Sequence, residues 1–119
     1  WGHQAGDKVL RGFAERLGRE LRAVDVAGRY GGEEFLVVFI NAGGDSALEA
    51  AERCRAAMAR EPFVLASSGE SLAVTLSAGV AEARIGDDVE DLLARADAAL
   101  YEAKSSGRNQ VITWRRKAA

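Results

Sequence analysis

An α/β fold, with helices packed on a largely antiparallel sheet, is predicted by three features of this chain. Three stretches carry apolar residues at helical spacing, two glycine-marked hairpins lie between them, and a short apolar strand follows the last helix. With 119 residues, 48% hydrophobic and 29% charged, the chain suits one domain around a single core.

Leu10, Phe13, Leu17 and Leu21 recur at spacings of three and four, which predicts a first helix over about 7–22. The preceding Trp1-Gly2-His3 reads as loop. Asp25 to Tyr30, a Gly31-Gly32 turn and the run to Ile40 form a β-hairpin. Residues 35–40 are apolar on both faces, so this strand is expected inside a sheet and covered on both sides. Asn41 to Asp45 is loop. Ser46 with Glu49 forms a capping-box pattern for a second helix, which buries Leu48, Ala51 and Met58 and closes at Pro62.

Phe63 to Leu65, the turn Ser67-Ser68-Gly69-Glu70 and the alternating Leu72, Val74, Leu76, Ala78 and Val80 predict a second hairpin. Asp87 with Glu90 is placed as the cap of a third helix. Val89, Leu92, Leu93, Ala96, Leu100 and Ala103 form its buried stripe, and it ends near Ser106-Gly107. A last strand runs from Gln110 to Trp114. Residues 115–119 are a basic, solvated tail.

Sixteen basic against eighteen acidic residues give a net charge of -2, so no global positive field draws the chain to nucleic acid or to an anionic membrane. Phosphate, if bound, must be met locally. The single Cys54 excludes an internal disulfide, suits a reducing compartment, and reads as a small apolar filler. No apolar run approaches the roughly 18 residues of a membrane span, and no signal peptide opens the chain, so a soluble, cytoplasmic domain is expected, with membrane anchoring of a parent through upstream segments left open.

The segment "RYGGEEF", residues 29–35, places two carboxylates at the mouth of an apolar strand. Consecutive strand side chains point to opposite faces, so Glu33 and Glu34 cannot both address one ligand from extended backbone. Bare glycines let a phosphorylated ligand approach the main chain, and an acid beside them suits its metal ion. Taken alone, the segment reads more simply as a hairpin turn followed by solubilising glutamates.

"RYGGEEF" resembles the signature of the GGDEF family, the diguanylate cyclases, in the variant with Glu at the third position. Gly2-His3-Gln4-Ala5-Gly6-Asp7 is similar to the family's GHxxGD, Ser77-Ala78-Gly79-Val80 to its SxGV, and "ADAALYEAKSSGRN" (96–109) to its closing motif. The four matches run in order from Gly2 to Asn109 and mark residues 1–114 as one domain, apart from the tail. The resemblance implies a nucleotide-cyclase or polymerase palm-like fold. It implies condensation of two GTP into cyclic di-GMP, with release of two pyrophosphates, by a homodimer carrying two Mg²⁺ or Mn²⁺ ions per site.

By position, the resemblance makes Glu33 the metal-binding carboxylate and Glu34 a neighbour needed for activity. Gly31 and Gly32 admit the phosphates, Asp7 accepts from guanine, and Lys104 and Arg108 hold the β- and γ-phosphates. Asp7 also reads as a helix N-cap, and Lys104 with Arg108 as favourable charge at a helix C-terminus. Arg22-Ala23-Val24-Asp25 resembles the family's RxxD product-binding inhibitory site, completed by Arg53; an ordinary Arg–Asp pair at a helix end is the alternative. His3 is assigned no chemistry, and Trp1 and Trp114 are assigned to packing.

The family's first strand, with its metal-binding Asp, and the loop that follows it have no counterpart in the chain, roughly the first quarter of such a domain. A strand beside Phe35 to Ile40 is therefore expected to be missing, which leaves the fragment inactive by itself. An upstream sensory or receiver domain is expected in the parent. The competing reading is a non-catalytic module that senses cyclic di-GMP or GTP.

Overall fold

The computed structural model describes residues 2–65 and 68–115, residues 2–5 by their backbone alone. Helix α1 spans Gly2–Arg19, followed by strands β1 (Val26–Gly31) and β2 (Glu34–Val38), and helix α2 (Gly44–Arg60). Strands β3 (Phe63–Val64), β4 (Ser71–Leu72) and β5 (Ala78–Val80) precede α3 (Val89–Ser105) and β6 (Val111–Thr113).

The periodicity locates all three helices, but their ends move. Helix α1 begins at Gly2, because the segment expected as loop contains no breaker strong enough to stop propagation through Gln4 and Ala5. It ends at Arg19 rather than 22. There the bonds tighten to i→i−3, with Glu20 N–H donating to Leu17 O at 3.1 Å and Leu21 N–H to Gly18 O at 3.2 Å. Helix α2 starts one half-turn before the expected Ser46–Glu49 box, with Gly43 as an N-cap that offers no side-chain bond. The capping box of α3 is Asp88 with Asp91, not Asp87 with Glu90. Asp87 is already engaged by Arg95 and by the Arg84 N–H at 2.6 Å.

The mixed α and β class and the largely antiparallel pairing hold, but the strands are divided among small sheets rather than joined in one. Among the described residues there are three two-stranded sheets: β1–β2 and β3–β4 antiparallel, β5–β6 parallel. The long strand expected over Leu72 to Val80 is divided because its two ends serve different partners. Leu72 pairs with Phe63, while Ala78 to Val80 pair with Val111 to Thr113, and 73–77 between them carry no ladder. Helix α3 is the crossover that joins the parallel strands β5 and β6. Ser67 of the expected turn, Trp1 and residues 116–119 of the tail lie outside the described residues.

One core cluster holds Leu17, Cys54 and Met58, with Phe13, Phe35, Val37 and Phe63 packed against it, and the Phe13 and Phe35 rings stack at 5.1 Å. Burial pushes the Cys54 thiol up, as befits a filler rather than a nucleophile. A second cluster joins Ala47, Ala51 and Val80 to Phe39 and Val111. The α2 face is mostly alanine (Ala47, Ala50, Ala51, Ala57), so the helix lies close to its neighbours; Leu48, expected on that face, is only half-buried. Val89, expected in the α3 stripe, is exposed because it opens the helix beyond the sheet.

Strand β2 departs from expectation as well. Phe35 and Val37 face the core, but Leu36, Val38 and Ile40 are exposed, so only one face is covered. Trp114 is a packing residue as expected, with the Arg84 and Arg95 guanidinium groups at 4.8 and 5.4 Å from its ring centroid.

Candidate active site

The β1–β2 hairpin determines where the two glutamates stand. Gly31 pairs with Glu34, so Gly32 and Glu33 are the two residues of the turn itself. Gly32 has φ +50° and Glu33 does not share a positive φ, the glycine-first arrangement of a type II′ turn. Tyr30 is the extra residue of a bulge between Arg29 and Gly31, and the Arg29 Nε donates to Gly32 O at 2.7 Å, bracing the turn. Glu33 is therefore a turn residue, exposed at the tip, rather than the first residue of a strand. Glu34 is half-buried on β2, 3.8 Å from Lys104 Nζ of α3.

A cavity of about 400 Å³ opens beside the hairpin. Glu33, Glu34, Lys104 and Arg108 supply its charged lining, and Val9, Leu10, Phe13 and Leu100 part of its apolar lining. The chain thus brings four of the predicted residues to one opening: Glu33 from the turn, Glu34 from β2, Lys104 from the last turn of α3 and Arg108 from the loop after it. Its lining also takes in Phe35 and residues 74–78. Strand β2 has a ladder on one edge only, and 73–77 have none, so two stretches of unpaired backbone flank the cavity among the described residues.

Other predicted residues stand apart from it. Asp7 lies within α1 rather than at its start, so it is no N-cap; its side chain is exposed, and it does not line the cavity. Gly31 and Gly32 border the site without lining it, and a Cβ placed on either would meet no atom within 4 Å. The surface above the turn is open to a bulky ligand.

Arg108 reaches the cavity from an unusual backbone. Gly107, Arg108 and Asn109 follow one another at φ +116°, +63° and +48°. Left-handed geometry costs an L-residue about 1–2 kcal/mol, and here two such residues are consecutive. The Arg108 N–H donates to Ala103 O at 3.0 Å, closing the end of α3, and the Asn109 N–H donates to Ser77 Oγ at 3.0 Å. Arg55 of α2 donates from Nη1 to Asn109 Oδ1 at 3.0 Å while its Nε holds Glu52 Oε1 at 2.7 Å. Sequence reasoning identified Arg108 but missed Arg55 and Asn109. The signal for Asn109 was its place after Gly107-Arg108, since asparagine tolerates the left-handed region; nothing local marked Arg55.

Residues predicted for regulation form a second constellation. Arg22 and Asp25 pair with each other: Arg22 Nη2 donates to Asp25 Oδ1 at 2.8 Å and to Ile40 O at 2.8 Å, and the Arg22 N–H donates to Asp25 Oδ2 at 2.8 Å. The Asp25 side chain is 1% exposed and the Arg22 side chain 50%, so a ligand from solvent meets the guanidinium first. Arg53 of α2 donates to Glu20 O at 3.4 Å, two residues before Arg22, which brings it to the same end of α1.

The hydrogen bonds from Arg22 hold the Asp25 carboxyl below the usual carboxylate range, and those from Arg95 do the same for Asp87. Depressed carboxylates contribute stability that is complete above their unfolded values and is lost as pH falls through the folded ones. Melting temperature is expected to decline as pH drops below about 4, and Arg95→Ala is expected to flatten that decline in a pH series of thermal melts. An unchanged acid limb in Arg95→Ala would exclude the Asp87 pair as a source.

Among the described residues no three His, Cys, Asp or Glu side chains form a group able to hold a metal ion. The oxygen donors Glu33 and Glu34 suit a hard divalent cation in kind but not in number. No helix among the described residues is long and apolar enough to cross a membrane.

Comparison with known proteins places these features in context. Residues 1–110 match the model of the family described as diguanylate cyclase, GGDEF domain. The chain is 50% identical over 113 residues to the response regulator PleD of Caulobacter vibrioides, and 39% identical over 115 residues to the diguanylate cyclase DosC of Escherichia coli K12. These alignments cover 94% and 97% of this chain and 25% of each relative, so the chain spans about a quarter of the length of those relatives.

Among solved structures, the GGDEF domain of DgcB from Caulobacter crescentus in complex with c-di-GMP superposes with a TM-score of 0.89 at 38% identity. That match covers 95% of this chain and 67% of the crystallised domain. The active GGEEF domain of a diguanylate cyclase from Vibrio cholerae superposes with a TM-score of 0.86 at 36% identity, covering 98% and 73%.

Proposed function

The chain belongs to the GGDEF, diguanylate cyclase, family, and from that premise we propose that it is the GTP-condensing domain of a longer protein. Two GTP-loaded copies face each other. The 3′-hydroxyl oxygen of each nucleotide forms a bond to the α-phosphorus of the other, each hydroxyl proton is lost, and two pyrophosphates leave as cyclic di-GMP forms. The observation that carries this reading is the meeting of Glu33, Glu34, Lys104 and Arg108 at one cavity, beside a turn with open space over its glycines.

The side chains divide the work by charge. Lys104 and Arg108 hold the β- and γ-phosphates, Arg108 with a planar fork that matches phosphate oxygens and Lys104 as a point charge. Gly31 and Gly32 admit the polyphosphate, and Asp7 accepts from the guanine base. Glu33 is one carboxylate ligand to Mg²⁺ or Mn²⁺, two ions per complete site, and Glu34 supports activity from β2 beside Lys104. When bound, the metal offsets charge on the leaving pyrophosphate and lowers the pKa of the attacking hydroxyl.

The remaining ligands come from the nucleotide, water and an acid outside the described residues. A strand laid in the cavity between β2 and residues 74–78 supplies that acid and pairs both unpaired edges. The domain then comprises residues 1–114 plus that strand and its loop, with 115–119 as a tail. The 119-residue chain by itself is expected to condense GTP negligibly. The protein works in the cytoplasm as a homodimer, under an upstream sensory or receiver domain.

The test is incubation of the complete parent protein with GTP and Mg²⁺ and separation of the products. Cyclic di-GMP with two equivalents of pyrophosphate supports the reading; bound but unconverted GTP favours a non-catalytic sensing module.

Arg22, Asp25 and Arg53 form the product-binding inhibitory site, in which Arg22 grips a phosphate or guanine edge and Asp25 accepts from guanine. Arg22→Ala is expected to weaken cyclic di-GMP binding by roughly 10- to 100-fold in calorimetry, the worth of one or two charge-assisted hydrogen bonds. Unchanged affinity would exclude Arg22 from the site.

A further inference from the structure

We infer that Arg55 and Ser77 are positioning residues for the phosphate-facing Arg108, acting through Asn109; the inference rests on the proposed phosphate role of Arg108. The left-handed run of Gly107, Arg108 and Asn109 does not favour itself, because two of its three residues carry a Cβ. A run of this kind persists where its surroundings over-determine it.

Here the surroundings are specific. The backbone of Asn109 is tied to Ser77 Oγ and its side chain to Arg55 Nη1, each at 3.0 Å. Arg55 is itself oriented by Glu52, one turn earlier on α2, and its side chain is 23% exposed. The Gln110 amide donates to Ser106 O and Arg108 O at 3.0 and 3.1 Å, closing the loop on its outer side. Three separate parts of the fold therefore meet at Asn109: helix α2, the segment before β5, and the end of α3.

Among the described residues nothing comparable holds Lys104, whose own helix fixes its backbone and whose Nζ stands 3.8 Å from Glu34. The arrangement is selective for Arg108, and it explains why a helix remote from the turn contributes a guanidinium to this loop. If Asn109 were released, residues 107–109 could relax toward right-handed geometry, and the Arg108 side chain would leave the cavity mouth. Binding of the outer phosphates would weaken while binding of the nucleoside would not.

The experiment titrates the parent protein with GTP, GDP and GMP, with and without Mg²⁺, and reads the ratio of GTP to GMP affinity. Arg108→Ala is expected to lower that ratio by roughly tenfold or more, and Arg55→Ala and Ser77→Ala by about three- to tenfold. The Arg55→Ala/Arg108→Ala double variant is expected to lose no more than Arg108→Ala alone. A purely structural role would lower GTP and GMP affinity together and leave the ratio in place.

Ser77→Ala removes one hydroxyl and no charge, and it decides the matter if Arg55→Ala does not fold. A ratio lost in Arg108→Ala but retained in Arg55→Ala and Ser77→Ala overturns the inference alone. A ratio unaffected by Arg108→Ala, or no GTP preference in the unaltered protein, overturns the phosphate reading and the inference with it.

Discussion

Gly79→Ala is expected to lower the melting temperature by roughly 10–20 °C, the effect of an overpacking cost near 3 kcal/mol in a domain of this size. Gly79 lies on β5 where α3 crosses, and a Cβ there would stand 2.2 Å from Ala96 O and 2.3 Å from Leu100 N. Both atoms belong to the helix backbone, so no side chain can turn aside to relieve the clash. Helix α3 would have to lift from β5 and β6, which it packs against, and would carry Lys104 with it. Gly18→Ala is the control. It is on α1 with nothing within 4 Å of its would-be Cβ, and it is expected to stabilise by about 0.5–1 kcal/mol. Equal melting temperatures for the two variants would mean that α3 does not sit this close to β5.

That close approach shows how much of the molecule could be read in advance. Helix periodicity is a local property, so Leu10, Phe13 and Leu17, or Leu92, Leu93 and Ala96, reveal helices without knowledge of partners. Ends are less legible, because they depend on which side chain captures the terminal N–H groups. Asp88 rather than Asp87 caps α3 only because Arg95, eight residues further on, has claimed Asp87.

Partner exchange is less legible still. The alternation from Leu72 to Val80 reads as one strand, since period-two patterning records which face is buried and not which strand lies alongside. The same division runs through the site. "GGEEF" and "AKSSGRN" are legible through their resemblance to a family's motifs, whereas Arg55 is an ordinary helix-surface arginine until Asn109 is seen opposite it.

Glu33→Ala in the complete protein is expected to abolish cyclic di-GMP synthesis with little change in stability. The stability half follows from the turn. Glu33 is exposed, its carboxylate makes no hydrogen bond among the described residues, and the positive φ of the turn falls on Gly32 rather than on Glu33. Surface changes of this kind usually stay within about 0.5 kcal/mol.

The activity half follows from the shortage of acids. With no group of three ligands among the described residues, each carboxylate of the proposed site would carry a large share of the metal's binding. Losing several kcal/mol of charge stabilisation in the transition state corresponds to two or more orders of magnitude in turnover, roughly tenfold for each 1.4 kcal/mol. Glu33→Gln keeps the shape and removes the charge, so it is expected to fail as Glu33→Ala does, whereas Glu34→Ala gives up only a half-exposed contact with Lys104 in stability terms. Turnover by Glu33→Ala within tenfold of the unaltered protein, measured at saturating GTP and Mg²⁺, would remove Glu33 from the proposed metal site and leave the turn as a structural feature only.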